Sequence, residues 1–190
     1  MTALRPGPLP PMDVLDHISA GIFAATLAPL FEGAPRFLGR LAVARPFGSL
    51  DALFDRARAI AHAMPIAEQL ELVDAHPRIG APPASVSAMS FVEQGYERDA
   101  AERAAREAQT ERARVAAELD RLNTAYEARF GFRYCLFVAG RPRSALLRDF
   151  EAALVADRVV ELRRAIDAVI DIATDRASKL GTASAEEAQS

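Results

Sequence analysis

Lysine is almost missing from this chain, and the one present, Lys179, stands just before the closing stretch "GTASAEEAQS". That scarcity excludes a good deal of chemistry. Decarboxylases and aldolases that work through a Schiff base, and enzymes that hold pyridoxal phosphate, need a lysine buried in the site. Lys179 is too near the tail for that. Cysteine is equally scarce: Cys135 alone allows no internal disulfide framework and no cysteine-rich metal centre. Flanked by Tyr134 and Leu136, with no histidine near it in sequence, it reads as a small core residue, not a nucleophile. No G-x-G-x-x-G or Walker loop offers a phosphate cradle. His17 and His62 lack any H-E-x-x-H or comparable spacing, so neither a nucleotide cofactor nor a metal is expected. No apolar run nears the roughly 20 residues of a membrane span. A net charge of −3 without a basic helix face gives no nucleic-acid surface. The opening "MTALRPGPLPP" has no signal-peptide core and "AEEAQS" is no peroxisomal address, so a soluble, cytoplasmic protein is expected.

What is there is helix. With 190 residues, 51% of them apolar and 26% charged, the chain is long enough to bury a real core as one globular domain. Four of the twelve prolines fall in the first eleven residues, which predicts an irregular arm over 1–11, a single helical catalytic domain over 12–180 and a flexible tail over 181–190. "SLDALFDRARAIAHAM" places Leu50, Leu53, Phe54, Ala57, Ile60, Ala61 and Met64 at helical spacing behind Ser49, a natural N-cap. The next helix opens at Pro65 and is expected to bury Ile66, Leu70 and Val73. Beyond the breaker-rich loop 80–88, a long helix has an alanine-and-charge half with pairs such as Asp99–Arg103 and Glu102–Arg106. Its second half carries the stripe Val115, Leu119, Leu122, Tyr126 and Phe130, closed by Gly131. "FRYCLFVAG" (132–140) alternates like a strand but has no partner strand, so it is read as an extended buried segment in an all-α helical bundle. Ser144 starts a helix through Leu154. The final helix, about 157–178, has Leu162, Ile166, Val169, Ile170 and Ala173 as its stripe.

Three places could carry chemistry. In "DAHPRIG" (74–80), the proline pushes His76 out of the α region, so a helix ends there. His76 is then either a cap whose positive charge suits the helix dipole or an imidazole aimed into a cleft. "SFVE" (90–93) fits a capping box in which Ser90 and Glu93 serve only their own helix start. Alternatively Glu93 and Gln94 face a ligand near His76. On the last helix Arg176 lies at one edge of the stripe and Arg163 at the other; either snorkels to water or enters a polar pocket, and the helical wheel does not choose. Arg164 points away and is expected in solvent.

Taken in order, "AHPRIG", "SFVEQ", "LNTAYEARFGFRYCLFVAGR" and "ELRRAIDAVIDIATDR", with "ARPFGSLDALFDRA" upstream, resemble the OHCU decarboxylase family over about residues 20–178. The resemblance implies an all-helical, usually dimeric enzyme without metal or organic cofactor. It would decarboxylate 2-oxo-4-hydroxy-4-carboxy-5-ureidoimidazoline (OHCU) to (S)-allantoin in urate breakdown. It also places the catalytic histidine on His76, the glutamate on Glu93 and the arginine on Arg176, with Ser90 and Gln94 on the substrate. The expectation is that His76, Glu93 and Arg176 converge. Departures are "GYERD" after "EQ", "HPRIG" for the commoner "HPDL", and "TDRASKL" for "RLRL". Two alternatives stand beside it: the same fold acting on a related ureido or imidazoline acid, and a non-catalytic helical interaction module.

Overall fold

The computed structural model describes residues 7–82, 86–94 and 106–187. In it the periodicities of the sequence become α1 (Met12–His17), α2 (Ala20–Leu27), a 3-10 turn (Ala28–Phe31), α3 (Pro35–Val43), α4 (Leu50–Ala63) and α5 (Ile66–Asp74). Then come α6 (Ala88–Glu93), α7 (Arg106–Phe130), α8 (Arg143–Ala153) and α9 (Arg158–Glu187). No strand occurs among the described residues, and the fold is all-α. The chain groups into two compact units, one central in sequence (Pro77–Ala165) and one flanking it (Leu4–His76 with Ile166–Ser190). Among the described residues no helix is long and apolar enough to cross a membrane.

In the flanking unit, α4 starts where expected: Ser49 Oγ accepts the Ala52 amide at 3.1 Å. The helix buries Leu53, Phe54, Ala57 and Ala61. They share a core with Phe23, Leu27, Phe31, Phe37 and Leu41, and with Ile166, Val169, Ile170 and Ala173 of α9. Burying side chains of this size contributes roughly 1.5–3 kcal/mol each. Arg45, just past α3, donates to the carbonyls of Leu15 (3.0 Å) and Ile18 (2.6 Å), and its guanidinium lies 4.6 Å from the centre of the Phe23 ring. That one side chain satisfies carbonyls at the α1 C-terminus. The face of α5 differs from the expected one. Ile66 is 53% exposed and Leu70 is half-buried, while Gln69, Leu72 and Val73 are inside. Gln69 is tolerated there because its amide donates to the His62 carbonyl at 2.9 Å, so the buried amide keeps a partner.

In the central unit, Tyr126 on α7 is the hub. Its ring packs edge-on against Phe132, Tyr134 and Phe150 and tilts against Phe130. The segment 132–138 is neither helix nor strand, and the chain turns at Ala139 and Gly140; Phe132, Tyr134 and Val138 are inside as the alternation predicts, but Cys135 is buried as well and Leu136 is only half-buried. Its independence from any sheet has a cause: Arg164 of α9 donates to the Cys135 carbonyl at 2.9 Å and lies over the Tyr134 ring at 4.8 Å. Arg164 is therefore not the solvated residue that the wheel suggests. It also grips Glu161, 2% exposed, which in turn accepts the Tyr126 hydroxyl at 2.7 Å. Burial and the Glu161 carboxylate together push the Tyr126 hydroxyl pKa up.

Gly131 ends α7 with φ +76°. The last helix continues to Glu187, past the end near 178 that its apolar stripe suggests; alanine and glutamate favour helix without any stripe. The Asp99–Arg103 and Glu102–Arg106 pairs and the "GYERD" stretch rest on residues outside those described.

Candidate active site

α5 stops because of the proline two residues beyond its cap. Pro77 disfavours helical backbone at His76, and the chain turns after the cap residue Ala75. The His76 amide still donates to the Val73 carbonyl at 3.2 Å, but its side chain is turned inward and the residue is 5% exposed. Burial strips water from the ring and the neighbouring Arg176 charge repels a second cation, which lowers the His76 pKa to about 4. The Glu32 carboxylate and a backbone hydrogen bond with Leu72 act in the opposite direction and do not win. His76 is thus uncharged near neutral pH. That overturns the helix-dipole reading, which needs an imidazolium.

Arg176 lies on the inner face of α9 with no exposed surface. Of the two arginines at the edges of the stripe it is the one in a polar pocket, while Arg163 is exposed. Its Nη1 donates to the carbonyls of Pro29 (2.9 Å) and Leu30 (3.1 Å), and its Nη2 to Glu32 Oε1 (2.9 Å). The last turn of a helix leaves carbonyls for outside donors, and here the 3-10 turn supplies them. Glu32 then reverses the chain in the left-handed region, φ 52°, with Gly33 at 88° behind it. Nothing in the sequence pattern points to Glu32. The only local trace is one acid set among the apolar residues and turn formers of "APLFEGAP".

The central unit carries the other sequence-predicted residues on α6. Here the capping-box expectation fails: Ser87, not Ser90, is the N-cap, and its hydroxyl accepts the Ser90 amide at 3.1 Å. Ser90 is inside the helix and 3% exposed, and Glu93 is its last residue, so Glu93 does not serve the helix start. Gln94, 9% exposed, accepts the Gly80 amide on Oε1 at 2.9 Å, which fixes how its amide faces. Gly80 needs to be glycine there, since its φ is 81° and a Cβ would stand 3.1 Å from Leu119 Cδ1. The remainder of "HPRIG" is pinned as well. Arg78 forks onto Glu127 at 2.7 and 2.5 Å, and Asn123 donates to the Ile79 carbonyl at 3.1 Å.

The structure therefore brings His76, Arg176 and the unforeseen Glu32 together in the flanking unit, and places Ser90 and Glu93 on one short helix of the central unit with Gln94 as its C-cap residue. The "TDRASKL" departure is ordinary helix, with the Lys179 ammonium 2.6 Å from Asp175. Among the described residues no three His, Cys, Asp or Glu side chains cluster as metal ligands.

Comparison with known proteins converges on one assignment. The uric acid degradation bifunctional protein PucL of Bacillus subtilis is 29% identical over 175 residues, covering 92% of this chain and 33% of that protein. This chain thus spans about a third of the length of that relative. The 2-oxo-4-hydroxy-4-carboxy-5-ureidoimidazoline decarboxylase of Haloferax volcanii is 26% identical over 151 residues, covering 80% of this chain and 84% of that one. A crystal structure of an OHCU decarboxylase in the presence of (S)-allantoin has the same fold, with a TM-score of 0.60 at 22% identity over 82% of this chain and 96% of that one. The sequence model of one family matches residues 16–178, nearly all of the helical part, and the chain belongs to the OHCU decarboxylase family.

Proposed function

We propose that this chain removes CO2 from OHCU to give (S)-allantoin, without metal or organic cofactor, as a cytoplasmic homodimer. Family membership supports the reaction class. One observation carries the reading: a buried neutral imidazole, His76, lies in the field of a guanidinium, Arg176, that has no exposed surface. Sinking a charge costs several kcal/mol before its partners offset it.

The chemistry suits these groups. The bond between the ring carbon and the carboxylate carbon breaks, CO2 leaves, and the electron pair passes into the ring C=N system. A proton then adds on one face. Negative charge develops on the ring, and a guanidinium in a poorly hydrated site stabilises it far better than one in water. Its planar donor edge also matches a carboxylate. His76, neutral when the site is empty, supplies a hydrogen bond and a place for the proton. Glu93 orients the ureido and hydroxyl groups or handles that proton, and Ser90 and Gln94 give neutral hydrogen bonds to the ring. Backbone amides of the extended segment that includes Cys135 add donors.

The test is circular dichroism of freshly oxidised urate, hydrolysed to OHCU in situ, with and without the protein. A rapid and lasting signal from one allantoin enantiomer is the expected result. Decay at the uncatalysed rate to racemic product rejects the proposal and leaves a related acid, or no reaction, as the alternative. His76→Ala and Arg176→Ala are each expected to lower turnover at least tenfold, about 1.4 kcal/mol of transition-state stabilisation. Unchanged turnover removes that residue from the mechanism.

A further inference from the structure

We propose that Arg141 and Arg164 are positioning residues for the reaction: by holding the backbone carbonyls of Cys135, Phe137 and Val138, they turn the amides of Leu136, Val138 and Ala139 onto the negative charge that develops as CO2 leaves. The inference rests on the decarboxylase reading above and names what builds its backbone donors.

Three carbonyls between Cys135 and Val138 are engaged by guanidinium groups. Arg164 Nη1 donates to the Cys135 carbonyl at 2.9 Å. Arg141 takes the other two: its Nη2 donates to the Phe137 carbonyl at 3.2 Å and its Nε to the Val138 carbonyl at 3.1 Å. The Val138 carbonyl also accepts the Arg141 amide at 3.0 Å. By contrast, among the described residues no acceptor meets the amides of Leu136, Val138 and Ala139. Val138 is nonetheless only 7% exposed, and Leu136 is half-buried. Backbone amides inside a protein nearly always find an acceptor, so a run of open ones suits an anion or a carbonyl oxygen from outside the chain.

The peptide plane links the two halves of this arrangement. A trans peptide points its C=O and the following N–H in opposite directions, and the one cis bond among the described residues precedes Pro46. A carbonyl held by a guanidinium therefore aims the next amide away from that guanidinium. The turn that follows is strained: Ala139 lies in the left-handed region at φ 51°, with Gly140 at 72°. Residues other than glycine seldom take that conformation, and it persists where the surroundings fix it. Both clamps are anchored in turn. Arg141 Nη1 donates to Asp149 Oδ2 of α8 at 2.7 Å, and Arg164 is held by Glu161 with its guanidinium over the Tyr134 ring. Donors oriented before the reaction need no rearrangement as charge appears, and a cation on the carbonyl side makes each N–H a stronger donor. Their benefit falls on the transition state more than on substrate binding.

Steady-state kinetics on OHCU separate this role from a merely structural one. The Arg141 side chain is 40% exposed, so Arg141→Met, which keeps the stem and loses every donor, is expected to fold. Its kcat should fall about tenfold or more with KM moved by less than about threefold. Asp149→Asn weakens the anchor and leaves the carbonyl bonds in place; its kcat should stay within about twofold of the natural protein. Equal losses in the two variants, an unchanged kcat in Arg141→Met, or a raised KM alone overturns the proposal. A second readout does not depend on turnover. Saturating (S)-allantoin should slow hydrogen exchange at the Leu136, Val138 and Ala139 amides of the natural protein. In Arg141→Met that protection should vanish at Val138 and Ala139 and persist at Leu136, which Arg164 still serves. No protection in the natural protein, or the same protection in both, overturns the proposal. Where Arg141→Met does not fold, Arg141→Lys, which replaces the fork with a single nitrogen, is read in the same way. A natural protein inert on OHCU is a different result, which rejects the decarboxylase reading itself.

Discussion

At the scale of single residues, His76 links the fold to pH. The unfolded chain releases its imidazole proton near ~6.5, whereas the folded one does so at about 4. Between those values the unfolded state binds more protons, so stability falls as the solution is acidified through that window and His76 adds no slope above or below it. The full effect is about 3 kcal/mol. Unfolding by urea from pH 7 to pH 4 should therefore depend on pH much less steeply in His76→Asn than in the natural protein; parallel curves would mean that the imidazole is hydrated when folded. His76 is legible in the sequence because a histidine before proline marks a helix end in any context. Glu32 is not. Its partner lies 144 residues along the chain, and no local pattern records so distant a contact.

At the scale of elements, the stripes of α7 and α9 can be read directly. Val115, Leu119, Leu122, Tyr126 and Phe130 are all buried, as are Leu162, Ile166, Val169, Ile170 and Ala173. Two serines three residues apart cannot be ranked, because either can start a helix and only the backbone of the preceding loop decides. Ser87 has the extended backbone an N-cap needs. Ser87→Ala should cost about 1 kcal/mol and speed hydrogen exchange at the Ser90 amide, whereas Ser90→Ala leaves that capping bond in place. The same exchange at that amide in both variants would refute the assignment. The face of α5 departs from its pattern for a physical reason too: a glutamine reads as polar until its acceptor, the His62 carbonyl, is known. For the extended segment the decisive group is Glu161. Glu161→Ala strips the acceptor from both Tyr126 and Arg164, and should lower stability by about 3 kcal/mol while raising exchange around Cys135. A loss under about 1 kcal/mol, the size of one ordinary hydrogen bond, would show that the aromatic cluster holds the segment by itself.

At the scale of the whole molecule, the proposed homodimer gives a direct expectation: sedimentation equilibrium should report about 41 kDa, twice the 20.5 kDa chain, and the mass of a single chain would exclude it. All-α architecture is legible in the 3.6-residue period, but the two units are not, since a grouping that unites both ends of a sequence leaves no compositional boundary. The order of these units along the chain also matters while the protein is being made. Glu32 and the apolar Leu27, Leu30 and Phe31 beside it emerge long before Arg176, 144 residues later. At ribosomal rates of about 5–20 residues per second, that delay is on the order of ten seconds. The central unit, contiguous in sequence, has its whole core in hand during the interval. The leading helices do not: on a nascent polypeptide their apolar, acid-tipped surface stays uncovered until translation delivers the last helix and its arginine.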